Sequence, residues 1–444
     1  MRPCTLPSCD FVMKFLFSHA KILLTDTAGF HVLDNAYLGV DGKTICYIGD
    51  VEPQETYDVR KDMAGKLLLP GFYNCHTHSP MTLLRGLGSG LPLQRWLNEA
   101  VFPMEAKLQA DDIEAGCDLA LMEMLACGTV GFSDMYFYPE TIAEAALNAG
   151  IKANIARHVL SFDPGEDPAK NESLLESLRL YDAWHGAGDG RIAVDFSIHA
   201  EYTCTPKVVS YYAEKCRERN GNLHIHLSET KAEHEACKQK YGMTPAAWFA
   251  SLGAFDADAF AAHCVWLEDA DIGILKEKNV SAVHNPSSNM KLGSGFAPLS
   301  KMLKCGLNVA IGTDGAASNN NLNLPEEMHL AAVIHNGYLL EATALQAGDV
   351  LKMATVNGAK LQRRRNCGSL AVGNAADIVA VDLNAPHLQP CLDVPALLVY
   401  SMQASDIKMT MVDGRILYEN GEYKTLDAEK IRFAVLQSTA RLYE

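Results

Sequence analysis

From residue 67 onward, short runs rich in β-branched and apolar residues alternate with longer amphipathic stretches. Eight such runs can be counted, at residues 67–76, 129–134, 152–159, 192–199, 222–227, 260–265, 280–284 and 308–313. Alternation of this kind predicts parallel strands joined by crossover helices. Eight repeats predict an α/β fold, a closed (β/α)8 barrel, in which functional residues gather at the carboxyl ends of the strands.

An open, doubly wound sheet is the alternative, but no Gly-x-Gly-x-x-Gly pattern follows an early strand, which weakens it. Residues 14–66 show short strand patterns separated by turn signals, and strand patterns return after about residue 365. We therefore predict two domains. Residues 1–66 and 368–444 form a small composite β-sandwich, with a C-terminal helix at 426–443. Residues 67–367 form an inserted barrel that carries the catalytic site.

Composition excludes several classes of function. The net charge of −16 argues against nucleic acid and anionic membrane surfaces as partners, and no apolar run reaches the roughly 18 to 20 residues that span a bilayer. The 13 cysteines are scattered, without a Cys-x-x-Cys pair, so we expect buried free thiols in a reducing cytoplasm. We see no secretory signal pattern, and Met13 is an alternative start that would leave residues 1–12 as an extension.

The first barrel run leads into the pattern His76-Thr77-His78. Side chains alternate across a strand, so His76 and His78 point the same way. Two imidazoles on one face of a strand end form half of a metal site. In a chain with 15 histidines the pattern also occurs by chance, so ligands from other strands are needed to decide.

Polar residues gather where the other predicted strands end. They are His199 and Glu201 after the fourth strand, His224, His226 and Glu229 on the fifth, His263 on the sixth, His284 on the seventh, and Asp314 on the eighth. Structural histidines would scatter along the strands. A metal-activated site instead predicts clustering at one end of the barrel.

Several segments resemble the amidohydrolase superfamily over nearly the whole chain: PGFYNCHTH, the His-x-x-Glu of the fifth strand, the sixth-strand histidine, the Thr-Asp-Gly of the eighth, and GSLAVGNAADIVAVD. Within it, the segments HTHSPMTLLRG, LPLQRWL, VFPMEAKL, HNPSSNMKLGSGFAP and GTDGAASNNNLN are most similar to 5'-methylthioadenosine/S-adenosylhomocysteine deaminases. The resemblance implies hydrolytic deamination of the adenine ring of these two compounds, with adenosine as a further candidate. The products would be the inosine analogue and ammonia.

The resemblance also implies that His76, His78, His226 and Asp314 bind one divalent metal. Zinc is the expected ion, although Fe2+, Mn2+ or Ni2+ could occupy the same ligands. Such a site leaves a position for water, whose pKa zinc lowers towards about 7. Binuclear members of the superfamily carry a lysine at the end of strand four, and residues 192–203 contain none, which favours one metal.

The implied mechanism is attack of metal-bound hydroxide on C6 of the adenine ring. Asp314 and His263 hold the water and accept its proton, while Glu229 protonates ring N1 and later helps pass a proton to ammonia. A carboxylate is also favourable at a helix start, but the three-residue offset of Glu229 from His226 favours catalysis. His224 lies two residues deeper than His226, so we expect it to pack or to support the ligands.

The residues that the resemblance places against substrate are Trp96, Glu105, Arg157, His199, Glu229 and Asp314. Glu105 would accept from both ribose hydroxyls, Trp96 would line the ribose or thioether pocket, and Arg157 would bind a homocysteine carboxylate. His199 would lie near the purine or ribose. Trp96 could instead belong to the core, and Arg157 could pair with a structural acid. Glu201 stands where the pattern leads us to expect proline, which leaves the pocket edge open.

Two other functions compete with this interpretation. A deaminase or hydrolase of guanine, another purine or a chlorinated triazine would not need Glu105, because a free base has no ribose diol. A barrel that has lost activity and serves in assembly would lack ligands, and none is missing here. We therefore expect a cytoplasmic metal-dependent aminohydrolase acting on a small nucleoside, with a homo-oligomer left open.

Overall fold

The computed structural model describes residues 13–26 and 29–444, so the predicted extension at 1–12 lies outside the described residues. The strands are β1 Lys14–Asp26, β2 Gly29–Asp41, β3 Thr44–Gly49, β4 Val59–Asp62, β5 Lys66–Pro70, β6 Phe72–Thr77, β7 Thr129–Met135, β8 Lys152–Ala156, β9 His158–Val159, β10 Ile192–Val194, β11 Phe196–Ile198, β12 Asn222–Leu227, β13 Asp258–His263, β14 Ser281–His284, β15 Val309–Ile311, β16 Ile378–Asp382, β17 Ile407–Val412, β18 Arg415–Glu419 and β19 Glu422–Tyr423.

The helices are α1 Leu93–Trp96, α2 Phe102–Glu105, α3 Ala110–Ala126, α4 Pro139–Ala149, α5 Glu172–Trp184, α6 Pro206–Glu218, α7 Lys231–Tyr241, α8 Pro245–Ser251, α9 Asp269–Glu277, α10 Pro286–Lys291, α11 Leu299–Lys304, α12 Leu324–Leu339, α13 Ala347–Ala354, α14 Val356–Leu361, α15 Val394–Tyr400 and α16 Ala428–Tyr443. Within the described ranges, none of these helices combines the length and the apolar character needed to cross a bilayer.

All eight predicted β-rich runs contribute strands to the barrel. In the described part of the chain, β6, β7, β8 and β10 form one parallel sheet. A second parallel sheet contains β9, β11, β12, β13, β14 and β15. The third barrel position is divided at Arg157 into β8 and β9, and the fourth is divided at Asp195 into β10 and β11. The first halves pair with each other, β8 with β10, and so do the second halves, β9 with β11. The predicted (β/α)8 fold class is confirmed.

Local sequence explains where several barrel helices begin and end. The side chain of Asn171 caps α5 by accepting from the N–H of Leu174 at 2.8 Å. Thr230 and Glu233 form a reciprocal capping box at the start of α7. Helix α4 ends at Gly150, whose φ of 84° lies in the left-handed region that glycine adopts without strain.

The barrel closes where β15 meets β6. The N–H of Asp314 donates to the carbonyl of His76 at 2.9 Å. The Asn74 side chain completes the seam, because its Nδ2 donates to Thr313 Oγ1 at 2.8 Å and its Oδ1 accepts from the Thr313 N–H at 3.1 Å. A Cβ at Gly312 would lie 2.8 Å from the backbone nitrogen of His76, so this close approach requires glycine.

The two ends of the chain share a nine-stranded sheet of order β19-β18-β17-β16-β5-β1-β2-β3, with β4 paired to β1. Its apolar core includes Phe17, Leu38, Leu68, Ile378 and Met411, each from a different strand. The sheet thereby provides the composite β unit expected from both chain ends.

The first predicted barrel run, 67–76, is divided between the two sheets. Its first part is β5, which pairs with β16 and β1 in the terminal sheet, and only β6 enters the barrel. Gly71 lies between them, and a Cβ there would meet Val130 Cγ1 at 2.2 Å. Strand membership of the barrel therefore starts at residue 72 rather than 67, while the division into two domains stays a prediction.

Helix α16 is the expected C-terminal helix, and it packs on α3 of the barrel. Arg441 forms an ion pair with the buried Asp112. The Tyr443 hydroxyl donates to the carbonyl of Leu83 at 3.0 Å, in the segment that follows the first barrel strand. The end of the chain therefore stabilises a loop at the barrel mouth.

Candidate metal and active site

Strands β6, β12 and β15 end at the same mouth and bring four of the predicted side chains together. Asp314 Oδ1 lies 3.5 Å from His76 Nε2 and 3.4 Å from His78 Nε2. Two overlapping groups have ligand atoms within 4.8 Å of one another: His76 with His78 and Asp314, and His76 with His226 and His263. Residues from distant parts of the chain thus converge in one small volume.

The histidine rings are held so that their Nε2 atoms face this volume. His78 Nδ1 lies 2.6 Å from the carbonyl oxygen of Met135, and His226 Nδ1 lies 2.9 Å from that of His199. A carbonyl only accepts, so each Nδ1 carries the proton and each Nε2 keeps its lone pair. Burial lowers the pKa of His76 to about 4, so this ring is neutral at pH 7, as a metal ligand must be.

His224 contacts the candidate ligands without joining either group. Its Nε2 lies 2.9 Å from Nδ1 of His76, and its ring stacks on Phe260 with 4.2 Å between ring centres. Because the His76 Nδ1 proton needs an acceptor, His224 can fix the ring orientation and the tautomer of His76.

The carboxylate of Asp314 is held by three donors. Its Oδ2 accepts from the hydroxyls of Ser288 at 2.6 Å and Ser318 at 2.8 Å, and its Oδ1 accepts from the N–H of Gly315 at 2.7 Å. Burial would raise the pKa of Asp314, but the nearby imidazoles of His76, His78 and His263 hold it well below its usual range. Asp314 is therefore an anion at neutral pH.

Sequence reasoning missed the supporting residues around this centre. Ser288, Asn289 and Ser318 are not among the predicted site residues. In the structure, Asn289 Oδ1 lies 2.9 Å from Nδ1 of His263 and sets that ring. The only sequence signal is that these residues belong to the segments HNPSSN and TDGAASNN beside two strand ends.

Glu229 lies beside this centre, just beyond the end of β12. Burial, with a smaller contribution from the charge of Asp314, raises the pKa of its carboxyl to about 8. His263 Nε2 lies 3.9 Å from Glu229 Oε2. The site therefore holds one carboxylate, Asp314, next to one carboxyl group that is protonated near neutral pH, which is a suitable pair for separate proton roles.

A cavity of about 450 Å³ opens above these residues and is lined by Trp96, Glu105, His199, Glu229 and Asp314, among others. Its apolar lining residues include Leu93, Trp96, Leu97, Val101, Phe102, Met135, Phe137, Leu160, Phe162 and Leu292. The Tyr136 hydroxyl donates to Glu105 Oε1 at 2.7 Å. Burial raises the pKa of the Glu105 carboxyl. The cavity can therefore hold a flat, partly polar ligand with an apolar substituent.

Arg157 does not line this cavity. It lies in an adjoining pocket, which shares Glu105 and Phe137 with the main cavity. Its Nε donates to Glu176 Oε2 at 2.7 Å, and its guanidinium carbon lies 5.1 Å from the centre of the Phe137 ring. The ion pair with an acid is therefore present, and contact of Arg157 with substrate stays a prediction.

His199 and Glu201 follow β11 but face different surroundings. His199 lines the cavity, with its ring 4.8 Å from that of His226, and burial lowers its pKa to about 3. Glu201 does not line the cavity. Its side chain is buried behind the site, next to Glu233.

Comparisons with known proteins agree with this geometry. Residues 67–417 match the model of the Amidohydrolase family. The 5-methylthioadenosine/S-adenosylhomocysteine deaminase of Thermoanaerobacter pseudethanolicus is 42% identical over 414 residues, which cover 93% of this chain and 96% of that protein. The 5'-deoxyadenosine deaminase of Methanosarcina mazei is 42% identical over 422 residues, 95% of this chain and 96% of that one. The crystal structure of an adenosine deaminase from Xanthomonas campestris with bound zinc has a TM-score of 0.91 at 30% identity, covering 97% and 98% of the two chains.

Replacing His224 with leucine should weaken the binding of a divalent metal, for which added zinc is the probe, because His76 loses the group 2.9 Å from its Nδ1. Removing a group that hydrogen bonds to a metal ligand typically lowers metal affinity by roughly 10–100-fold. Competition with a chelator measures the effect. His335→Leu is the matched control, since His335 is equally buried and its Nε2 lies 3.0 Å from His284, outside both ligand groups. Equal zinc affinity of His224→Leu and the unchanged protein would contradict the expectation.

Proposed function

The chain belongs to the amidohydrolase family, and we propose that it hydrolytically deaminates the adenine ring of 5'-substituted adenosines. We propose 5'-methylthioadenosine and S-adenosylhomocysteine as substrates, with adenosine as a further candidate. The observation that carries the proposal is the buried carboxyl of Glu229, which lies beside His226 and Asp314 under a cavity that Glu105 also lines. The reactions named for the relatives support the same chemistry.

A divalent metal fits His76, His78, His226 and Asp314. His76 Nε2 is buried and has no hydrogen-bond partner among the described residues, as expected for an atom reserved for a ligand. We propose zinc, because three imidazoles with one carboxylate suit it and because the similar deaminase structure has bound zinc. A bound zinc ion would supply water with a pKa lowered to about 7.

The protein's own residues would move the protons. We assign Asp314 and His263 to hold the attacking water and to receive its proton. Glu229 is protonated at neutral pH because burial raises its pKa to about 8, so it can donate to ring N1 and draw electron density from C6. The same carboxylate can then help deliver a proton to the departing ammonia.

The cavity walls support a nucleoside rather than a free base. Glu105 offers a carboxylate that can accept from the ribose hydroxyls, and the hydroxyl of Tyr136 orients it. Trp96 is 5% exposed and its Nε1 donates to the carbonyl of Leu87 at 3.0 Å, so its ring is a fixed apolar surface for ribose or a thioether. His199 would lie against the purine or ribose. Guanine and triazines carry no ribose, so they offer no pair of hydroxyl groups for Glu105 to bind.

Arg157 and Glu176 would meet the far end of a long 5' substituent. Their pocket continues from the main cavity past Glu105. The amino-acid end of S-adenosylhomocysteine carries a carboxylate and an ammonium group. An arginine paired with a glutamate presents the two complementary charges.

The compartment of the protein stays a prediction. All eleven cysteines in the described ranges are free thiols, and seven of them are buried. These thiols support the reducing cytoplasm that we propose.

Purified protein supplied with zinc should convert 5'-methylthioadenosine and S-adenosylhomocysteine to their inosine analogues. The loss of the amino group shifts the ultraviolet absorbance of the purine, which gives the assay. Turnover of guanine or a chlorinated triazine, with none of any adenosine, would overturn the proposal.

Glu229→Gln should keep zinc and the fold but lower kcat by roughly 10²–10⁴-fold, because the amide cannot donate and then recover a proton. Steady-state kinetics together with metal analysis measure this. Glu277→Gln, at an exposed position in α9, is the control and should behave as the unchanged protein. If Glu229→Gln kept most of its turnover, the acid–base assignment would be wrong.

Arg157→Gln should lower kcat/KM for S-adenosylhomocysteine by roughly tenfold or more, because a charged hydrogen bond is lost. Turnover of 5'-methylthioadenosine, which has no amino-acid group, should change little. Arg219→Gln removes a comparable ion pair with Asp182 on the outer surface and serves as control. An equal loss on both substrates would show that Arg157 is structural.

A further inference from the structure

Two carboxyl groups lie buried in contact behind Glu229. Glu201, in the turn after β11, is 2% exposed, and Glu233, in the first turn of α7, is 7% exposed. Their carboxyl groups lie close enough to interact directly, and a hydrogen bond between them requires a proton on one of the two. Among the described residues, neither forms an ion pair with lysine or arginine. Two adjacent buried carboxylates repel, so such a pair retains a proton.

The hydrogen bonds indicate which partner is the anion. Oε2 of Glu233 accepts from the backbone N–H groups of Glu229 at 3.0 Å and Thr230 at 3.2 Å. Oε1 of Glu233 and Oε2 of Glu201 are buried and find no donor within the described ranges. A proton on Glu201 would supply the missing donor and leave Glu233 as the carboxylate.

We propose that Glu201 and Glu233 share one proton and that this link positions Glu229. The hydrogen bond between Glu201 and Glu233 would connect the loop after β11, which carries His199 and Tyr202, to the backbone N–H of Glu229. The two residues act through Glu229 and touch no substrate, so they are positioning residues. Their effect on turnover rests on the proposed function, whereas the shared proton does not.

Burial is the main reason why the pair retains a proton, and the nearby cationic groups act against it. Burial, followed by the charge of Glu233, raises the pKa of Glu201, and Lys240 acts in the opposite direction. Burial raises the pKa of Glu233, an ionised Glu229 raises it further, and His263 acts in the opposite direction.

Two neutral side chains also face the pair. Tyr202 and Cys237 lie close to it and have pKa values raised by burial, so they add no charge near neutral pH.

The sign of the pH effect follows from these raised values. The unfolded chain gives up these protons near pH 4.3, whereas the folded pair holds one proton to higher pH. The stabilisation from the pair is therefore complete below the unfolded pKa and is lost as the pH rises through the folded pKa.

The sequence shows why the link belongs to this chain. Glu201 stands where the family pattern led us to expect proline, which has no side-chain donor for Glu233. Glu233 alone would still cap α7. Glu201 is therefore the residue that connects the loop after β11 to the loop that leads into α7.

Glu201→Gln tests the shared proton, because an amide N–H donates to Glu233 at every pH. The zinc-loaded protein and the variant should have melting temperatures that diverge by at least about 2 °C between pH 6 and 9, with the variant losing less. Glu235→Gln, at a partly exposed position on the same helix, should follow the unchanged protein. Parallel melting curves for Glu201→Gln and the unchanged protein would overturn the shared proton.

Glu201→Leu tests positioning, since it removes the donor while the glutamine variant keeps it. We expect kcat for the adenosine substrate to fall about tenfold in Glu201→Leu and to be largely retained in Glu201→Gln at pH 7, with little change in KM. Equal kcat in both variants would overturn the positioning role. Absence of turnover in the unchanged protein would overturn the proposed function instead, and would leave the melting comparison intact.

Discussion

The seam between β6 and β15 is the contact on which the site depends. One backbone hydrogen bond and the two-sided bridge from Asn74 to Thr313 hold His76 beside Asp314. Gly312 permits the backbones to approach this closely. Without closure of the barrel at this seam, Asp314 would not lie beside His76 and His78, and the base of the cavity would not form.

The two carboxyl groups of the site have different protonation states although they are similarly buried. Asp314 is surrounded by hydroxyl, N–H and imidazole groups that favour the anion, so its pKa stays low despite burial. Glu229 has a similar degree of burial, but its carboxyl lacks such donors among the described residues, and its pKa is raised. The chemical difference between an anion and a proton donor therefore comes from neighbouring side chains rather than from residue type.

Much of this arrangement could be predicted from the sequence. Strand and helix alternation located the eight barrel runs, and histidines at strand ends predicted that His76, His226 and Asp314 would meet. Periodicity could not divide residues 67–76 between two sheets, because both halves are apolar and only the pairing partners differ. Sequence also could not decide the contacts of Arg157, since its ion pair depends on where α5 places Glu176.

Contacts between separate loops were likewise beyond sequence reasoning. Ser288 and Ser318 look like ordinary turn residues until Asp314 is placed between them. The approach of Glu201 to Glu233 depends on the packing of the loop after β11 against α7, which no local pattern records. Patterns therefore located the candidate ligands at one barrel mouth, but they did not identify the groups that hold those side chains in place.

The composite sheet has a consequence for how the protein is made. Strand β5 ends at Pro70, but its antiparallel partner β16 begins only at Ile378. At about 5–20 residues per second, roughly 15–60 s of translation separate the two strands. During that interval the nascent chain carries an apolar strand with an unpaired edge, a feature that promotes aggregation. Early chaperone binding on the ribosome would therefore matter more for this chain than for one whose sheets pair locally.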